Sequence, residues 1–358
     1  MIDRCSGIRE LVESSIRGGL FPGAVWLVER RGDLISLGSA GHSQLVPVER
    51  SMSEHTIFDL ASLTKPVVTG TLFMLFWERG MLDPEKPVGH YIPRFRGGWR
   101  DNVMLKQLLS HSSGLPSGLP LSKICKDPSE VLGKVCEAER AYGPGSSTLY
   151  SDVGFILMGK ILERVSGREL DQLAREEVSR PLGMGRTMYN PPGELREGIA
   201  ATQELPERGG ILVGTVHDGN AYFMGGISGH AGLFSCAGDL AEYGRMMLGT
   251  GRKLVKGETI ELATRIWSDD GKNAYGLSWF KRKHPVNPAG TSLSSRAFGH
   301  TGYTGTSIWF DPERELLAIL LTNRVHPRRA ARRIPEMNAL RARFHDLAAG
   351  SSVPDPGE

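Results

Sequence analysis

Apolar residues at helical spacing, Ile8, Leu11, Val12 and Ile16, predict an amphipathic helix over residues 8–16 that covers a sheet. Two β-rich runs follow, Ala24 to Glu29 and Leu34 to Gly38, and the turn residues Arg30-Arg31-Gly32-Asp33 between them predict a hairpin. From Val67 to Trp77 the chain is apolar on nearly every side, the pattern of a helix buried in the middle of a molecule. Pro66 suits its first turn, where a missing N–H costs little. From Met81 to about Asp218, helical patterns such as 103–109 and 155–165 alternate with Pro- and Gly-rich loops. Glycine turns crowd Gly209 to Gly232, and a helix is predicted from Ala237 to Leu248. Strand patterns then return. Tyr275 to Phe280 reads as one strand, and Thr306 to Phe310 pairs with Leu316 to Leu321 across a turn at 311–315. Ala330 to Ala349 reads as a last helix and Ser351 to Glu358 as a frayed tail. The expected organisation is an α/β sheet domain from residues 1–80 and 236–358, with residues 81–235 as a mainly helical insert carrying Gly-rich loops.

Composition narrows this picture without changing it. The 358 residues exceed what one small core usually holds. Hydrophobic residues make up 40% and charged residues 23%, and no apolar run is long enough for a membrane span. A net charge of +3, from 43 basic and 40 acidic residues, gives no overall attraction to nucleic acid. Arg324, Arg328, Arg329, Arg332 and Arg333 read as a solvated helix face. No apolar segment follows Met1 to Ser6, so no signal peptide is expected and a cytoplasmic location is. Cys5, Cys125, Cys136 and Cys236 include no Cys-x-x-Cys pair, which indicates neither a zinc site nor a redox motif. Cys125 and Cys136 are expected as reduced thiols in cytosol, whereas export would allow a disulfide between them.

Candidate chemistry begins at Ser62-Leu63-Thr64-Lys65. If Ser62 sits where a loop turns into a helix, Lys65 lies one turn later on the same face, and its amine reaches the serine hydroxyl. That is the geometry of an activated nucleophile. The same residues also read as a helix start capped by Ser62 or Thr64. Three other stretches bear on the choice. Leu149 to Gly154 sets Tyr150 and Asp152 two residues apart before a helix, where both project into a cleft or Asp152 caps the helix. Gly299-His300-Thr301-Gly302-Tyr303-Thr304-Gly305 leads into a strand, and its glycines allow a substrate close to the backbone. Gly229 to Ser235 is similar in texture, with His230 reading as a packing residue.

In order and roughly in spacing, Ser62-x-x-Lys65, Tyr150-x-Asp152 and His300-Thr301-Gly302 resemble the three-motif signature of serine hydrolases related to β-lactamases and penicillin-binding proteins. The chain resembles the class C β-lactamase-like branch, with its carboxylesterases and D-amino-acid peptidases, from about Leu20 to Asn323. Residues 108–115, 232–235 and 275–279 also look like segments of that branch. The resemblance implies a β-lactamase/transpeptidase-like fold of α/β (α+β) class, a central antiparallel sheet flanked by helices with a mainly helical inserted subdomain. It implies that Ser62 attacks an acyl carbonyl, that Lys65 and Tyr150 carry protons, and that the backbone N–H groups of Ser62 and Tyr303 hold the oxyanion. Which of Lys65 and Tyr150 is the base stays open. Asp152, His300, Thr301 and Gly302 are the implied substrate-binding residues, and no metal or organic cofactor is implied.

Two departures narrow the substrate. A β-lactamase usually has asparagine where this chain has Asp152, and lysine where it has His300. An ionised Asp152 only accepts hydrogen bonds and is expected to tether Lys65 or another cation. His300 is largely neutral at pH 7. Both favour a carboxylic ester, a small acyl-amide or a D-amino-acid peptide over efficient β-lactam hydrolysis. The alternatives are a true β-lactamase or D-Ala-D-Ala carboxypeptidase and, from another class, a non-catalytic β-lactam- or peptide-binding sensor. Residues 214–232 also look like a subgroup associated with cell-wall amino-sugar or peptide recycling. There His217, Asp218 and His230, like Ser112 elsewhere, line the substrate cleft or hold a Gly-rich loop by hydrogen bonds. Their spacing lacks the regularity of helical metal ligands.

Overall fold

The first hairpin forms because Arg31 and Gly32 both take positive φ, the turn geometry that matches strand twist, and so reverse Gly23–Arg30 (β1) into Asp33–Gln44 (β2). The computed structural model describes residues 7–283, 288–328 and 333–350. After Arg50–Ser51 (β3) the chain leaves the sheet. It returns for Ser268–Asp269 (β4), Ala274–Tyr275 (β5), Phe280–Lys281 (β6), Phe298–Thr301 (β7), Ser307–Asp311 (β8) and Leu316–Thr322 (β9). These nine strands form one antiparallel sheet in the order β3-β2-β1-β9-β8-β7-β6-β5-β4. The two predicted hairpins therefore meet, with Trp26 opposite Leu320 and Ile308 opposite Ile319.

β1 is apolar on both faces because both are covered. Its Ala24, Trp26 and Val28 face a core with Ile8–Arg17 (α1) and Ile334–Gly350 (α6). Val25 and Leu27 face the larger core with Thr71–Glu78 (α2), Asp152–Ser166 (α3), Ala237–Leu248 (α4) and Gly257–Thr264 (α5). The predicted central helix is buried as expected, but its first part is irregular. Ala61–Leu63 is a 3₁₀ turn, Lys65–Gly70 is π-helical, and regular α-helix starts only at Thr71. Every residue from Thr64 to Phe76 is buried.

The run Tyr275 to Phe280 is not one strand. Ser278 takes a φ of 73°, Gly276 N–H donates to Trp279 O at 2.8 Å, and Tyr275 pairs back onto Phe280. The turn is tied to the helices by Leu277 N–H on Ala263 O at 2.7 Å and Ser278 N–H on Leu109 O at 2.8 Å. Such tertiary ties outweigh the β-propensity of the run. The basic cluster also divides. Arg324 is buried at 3% exposure in the turn after β9, Arg333 bonds the Gly18 and Gly19 carbonyls, and Arg329 and Arg332, like Cys5, lie outside the described residues. Cys125, Cys136 and Cys236 are buried free thiols. Among the described residues no helix is long and apolar enough to cross a membrane.

Candidate active site

Ser62 lies in the 3₁₀ turn, directly after Ala61, whose φ of 48° is costly for a residue with a Cβ. A set of hydrogen bonds holds the turn in place. Asp59 accepts the Ala61 N–H on Oδ1 at 2.8 Å and the His217 N–H on Oδ2 at 2.7 Å. Thr304 and Thr306 hydroxyls donate to the Asp59 and Leu60 carbonyls at 2.7 and 3.0 Å. Burial raises the Asp59 carboxyl to about 6 against the pull of its two backbone donors. The end of β7 presses on this turn through Gly302. A Cβ there would lie 2.0 Å from Thr306 Oγ1 and 2.4 Å from Leu60 O, so only glycine allows the approach.

Lys65 is wholly buried. It donates to Ser62 Oγ at 3.0 Å and His230 O at 3.2 Å, and forms an ion pair with Asp152 Oδ1 at 2.7 Å. Burial pulls the amine down, but the charge of Asp152 and the nearby Tyr150 phenol override it and leave Lys65 above its ordinary value. Asp152 is the first residue of α3. The capping role falls to Ser151, whose Oγ accepts the Gly154 N–H at 3.2 Å, so the Asp152 carboxylate is left for Lys65.

Tyr150 stands beside this pair, with its phenol interacting with both Ser62 and Lys65. Its ring is clamped between His111, stacked at 4.4 Å, and Phe280, stacked at 5.9 Å. His111 is held in turn by the Ser151 N–H on its Nδ1 at 3.0 Å. Burial and then the Lys65 charge push the His111 imidazole far down, so it is a neutral plate. Burial also raises the Tyr150 phenol, with Lys65 opposing and Asp152 reinforcing the rise.

Ser62, Tyr150, Thr301, Gly302 and Tyr303 line one cleft of about 230 Å³. Its wall is completed by Phe280 and Arg324 and, from α6, by Ile334, Met337, Asn338 and Arg341. Asp152 is not among the lining residues although its side chain is 31% exposed, and His300 sits behind the wall. His300 is 1% exposed, bonds Thr301 O through Nδ1 at 2.9 Å, and is kept neutral by burial and by Lys65. His230 and Ser112 are also enclosed, at 1% and 5% exposure. His230 joins Asp218 and Ser228 at 2.9 and 2.8 Å, which fixes the Gly-rich loop and aims its carbonyl at Lys65; Ser112 bonds Ser110. His217 stacks on Tyr303 at 5.8 Å and meets Gln203 Oε1 at 2.9 Å. Arg324 donates to Tyr303 O, and Arg341 to the Gly302 and Thr306 carbonyls at 2.7 and 2.9 Å. Sequence reading missed His111, Phe280, Arg324 and the α6 residues as site components. Among the described residues no group of three or more His, Cys, Asp and Glu side chains is placed to hold a metal ion.

The family model described as Beta-lactamase matches residues 8–342. A protein of Escherichia coli (strain K12) named "Putative D-alanyl-D-alanine carboxypeptidase" is 34% identical over 304 residues, covering 76% of this chain and 70% of that one. The N-acetylmuramyl-L-alanine amidase of Bacillus subtilis (strain 168) is 33% identical over 356 residues, covering 89% and 80%. Among solved structures, a class C beta-lactamase superposes with a TM-score of 0.78 at 18% identity, covering 97% of this chain and 96% of that one, which gives the β-lactamase/transpeptidase-like fold.

The close contact at Gly302 makes a prediction. Gly302→Ala should destabilise the fold by about 1–3 kcal/mol in urea denaturation, and should cut acylation of Ser62 more than this loss of folded protein explains. A variant of unchanged stability and reactivity would show that β7 does not brace the Ser62 turn.

Proposed function

This chain belongs to the Beta-lactamase family, and from that premise we propose that it is a serine hydrolase that cleaves a small acyl-amide or D-amino-acid peptide through an acyl-enzyme on Ser62. The observation that carries this reading is the contact of Lys65 Nζ with Ser62 Oγ at 3.0 Å at the edge of an open cleft, with Tyr150 on the other side. In the resting site Lys65 is an ammonium and Tyr150 a neutral phenol. Loss of one proton from this coupled pair gives the active form. Ser62 Oγ then bonds to the acyl carbon while its proton passes to the pair, and the backbone N–H groups of Ser62 and Tyr303 take the oxyanion. The pair returns the proton to the leaving nitrogen as the amide bond breaks. Water attacks the ester in the same way, giving one proton to the pair, which restores Ser62 O–H as the acid leaves.

Arg324 and Asn338 on the cleft wall support an amide substrate ending in a carboxylate, since guanidinium and amide groups bind that anion directionally. They supply in this chain what the neutral His300 does not. The relatives named D-alanyl-D-alanine carboxypeptidase and N-acetylmuramyl-L-alanine amidase point the same way. The second reading is a carboxylic ester, favoured by the missing charge at His300, for which no substrate carboxylate is needed.

A substrate panel tests this. A D-Ala-D-Ala peptide, an N-acetylmuramyl-L-alanine amide, p-nitrophenyl butyrate and nitrocefin should show turnover of a peptide or amide, with Ser62→Ala lower by on the order of 10⁴-fold or more. Turnover of the ester alone would select the second reading, and equal turnover by Ser62→Ala would exclude both. Asp152 raises both Lys65 and Tyr150, so removing its charge lowers both. The alkaline rise of kcat/KM with pH should therefore move to lower pH in Asp152→Asn. A rise that stays put or moves upward would contradict the role given to Asp152.

A further inference from the structure

A second cavity, of about 1090 Å³, lies among the C-terminal end of α4, α5 and strands β6 and β7, and shares no lining residue with the Ser62 cleft. Its volume lies just above the usual range for small-ligand sites, about 300–1,000 Å³. Its inner wall is hydrocarbon: Met246, Met247, Val255, Ile260 and Phe298 line it, each at most 7% exposed. Lys281 is set among them, itself 7% exposed, with Nζ donating to Arg296 O at 3.0 Å and lying 5.4 Å from the centre of the Phe298 ring. Successive residues of a strand face opposite ways, so Phe280 serves the Ser62 cleft and Lys281 this cavity.

The charge around the opening is unbalanced. Arg252, Lys253, Lys256, Arg265 and Arg296 line it together with Glu78, Glu258 and Glu261. Glu261 is taken up by Arg296 at 3.4 Å, and Glu78 accepts the Lys256 backbone N–H at 2.7 Å.

We propose that this cavity binds an amphipathic monocarboxylate, with its hydrocarbon tail against Met246, Ile260 and Phe298 and its carboxylate on Lys281. Burial lowers the Lys281 amine to about 8, and the nearby Arg296 charge acts the same way. A carboxylate brought to Nζ offsets that cost with a charge-assisted hydrogen bond, while the tail covers apolar wall. A cationic amphiphile of the same length gains the second term and loses the first, because the Lys281 ammonium repels its head group.

Calorimetric titration of the full-length Ser62→Ala protein, which cannot be acylated there, tests this with dodecanoate and dodecyltrimethylammonium below their micelle concentrations. Dodecanoate should bind saturably at one site, and at least about tenfold more tightly than the ammonium amphiphile. Lys281→Met, which removes the charge, and Ile260→Trp, which fills the cavity, should each weaken it by a similar factor. In the unsubstituted protein dodecanoate should also slow acetylation of Lys281 by acetic anhydride, read by peptide mass spectrometry, which needs no variant to fold. Absence of saturable binding, equal affinity for the two amphiphiles, an affinity unmoved by both substitutions, or an unprotected Lys281 would overturn the proposal.

Discussion

Everything around Ser62 depends on keeping a lysine amine where water does not reach it. Lys65 is 0% exposed, and an unpaired ammonium in that position costs several kcal/mol. The structure offsets this with the charge of the Asp152 carboxylate and with hydrogen bonds to the His230 carbonyl and the Ser62 hydroxyl. Each acceptor comes from a different part of the chain. Asp152 arrives on α3, His230 on the Gly-rich loop and Ser62 on the 3₁₀ turn, so the helical region and the sheet are brought to one point by one side chain. The backbone that carries Lys65 is irregular as well: the Lys65–Gly70 segment is π-helical where a regular α-helix was expected.

The same constraint sets the electrostatics. Burial first, and then the buried cation, push the imidazoles of His111 and His300 far down, so both are neutral and serve as surfaces rather than as acids or bases. It also opposes the effect of burial on Tyr150, so the phenol and the amine titrate as one system. Asp152 is the counterweight. Its charge makes the ammonium stable and, in the proposed mechanism, at the same time holds back the proton loss that would activate Ser62, so that mechanism opposes stability of the site to its reactivity near neutral pH through one carboxylate.

Much of this was legible in the sequence because it is local. The hairpins, the buried run after Lys65, the helix at 237–248 and the Ser62–Lys65 spacing all follow from periodicity and turn chemistry within a few residues. That Asp152 tethers Lys65 or another cation was also legible, since a carboxylate replacing an amide needs a cation, and the structure pairs it with Lys65. What was not legible depends on long-range contacts. The break in the Tyr275–Phe280 run is imposed by carbonyls of Ala263 and Leu109, and Arg324 leaves the expected solvated face because Tyr303 offers it a carbonyl and a ring. His111 had one local signal, its place in Ser110-His111-Ser112-Ser113-Gly114, but its positive φ and its stacking on Tyr150 are facts of the assembled fold.

The central claim is that Ser62 is a nucleophile activated by this buried pair, and covalent labelling measures it most directly. Intact mass after incubation with a fluorophosphonate should show a single adduct, mapped by peptide mass spectrometry to Ser62, with none in Ser62→Ala. A protein that stays unlabelled, or a Ser62→Ala variant that takes up the same adduct, would contradict it.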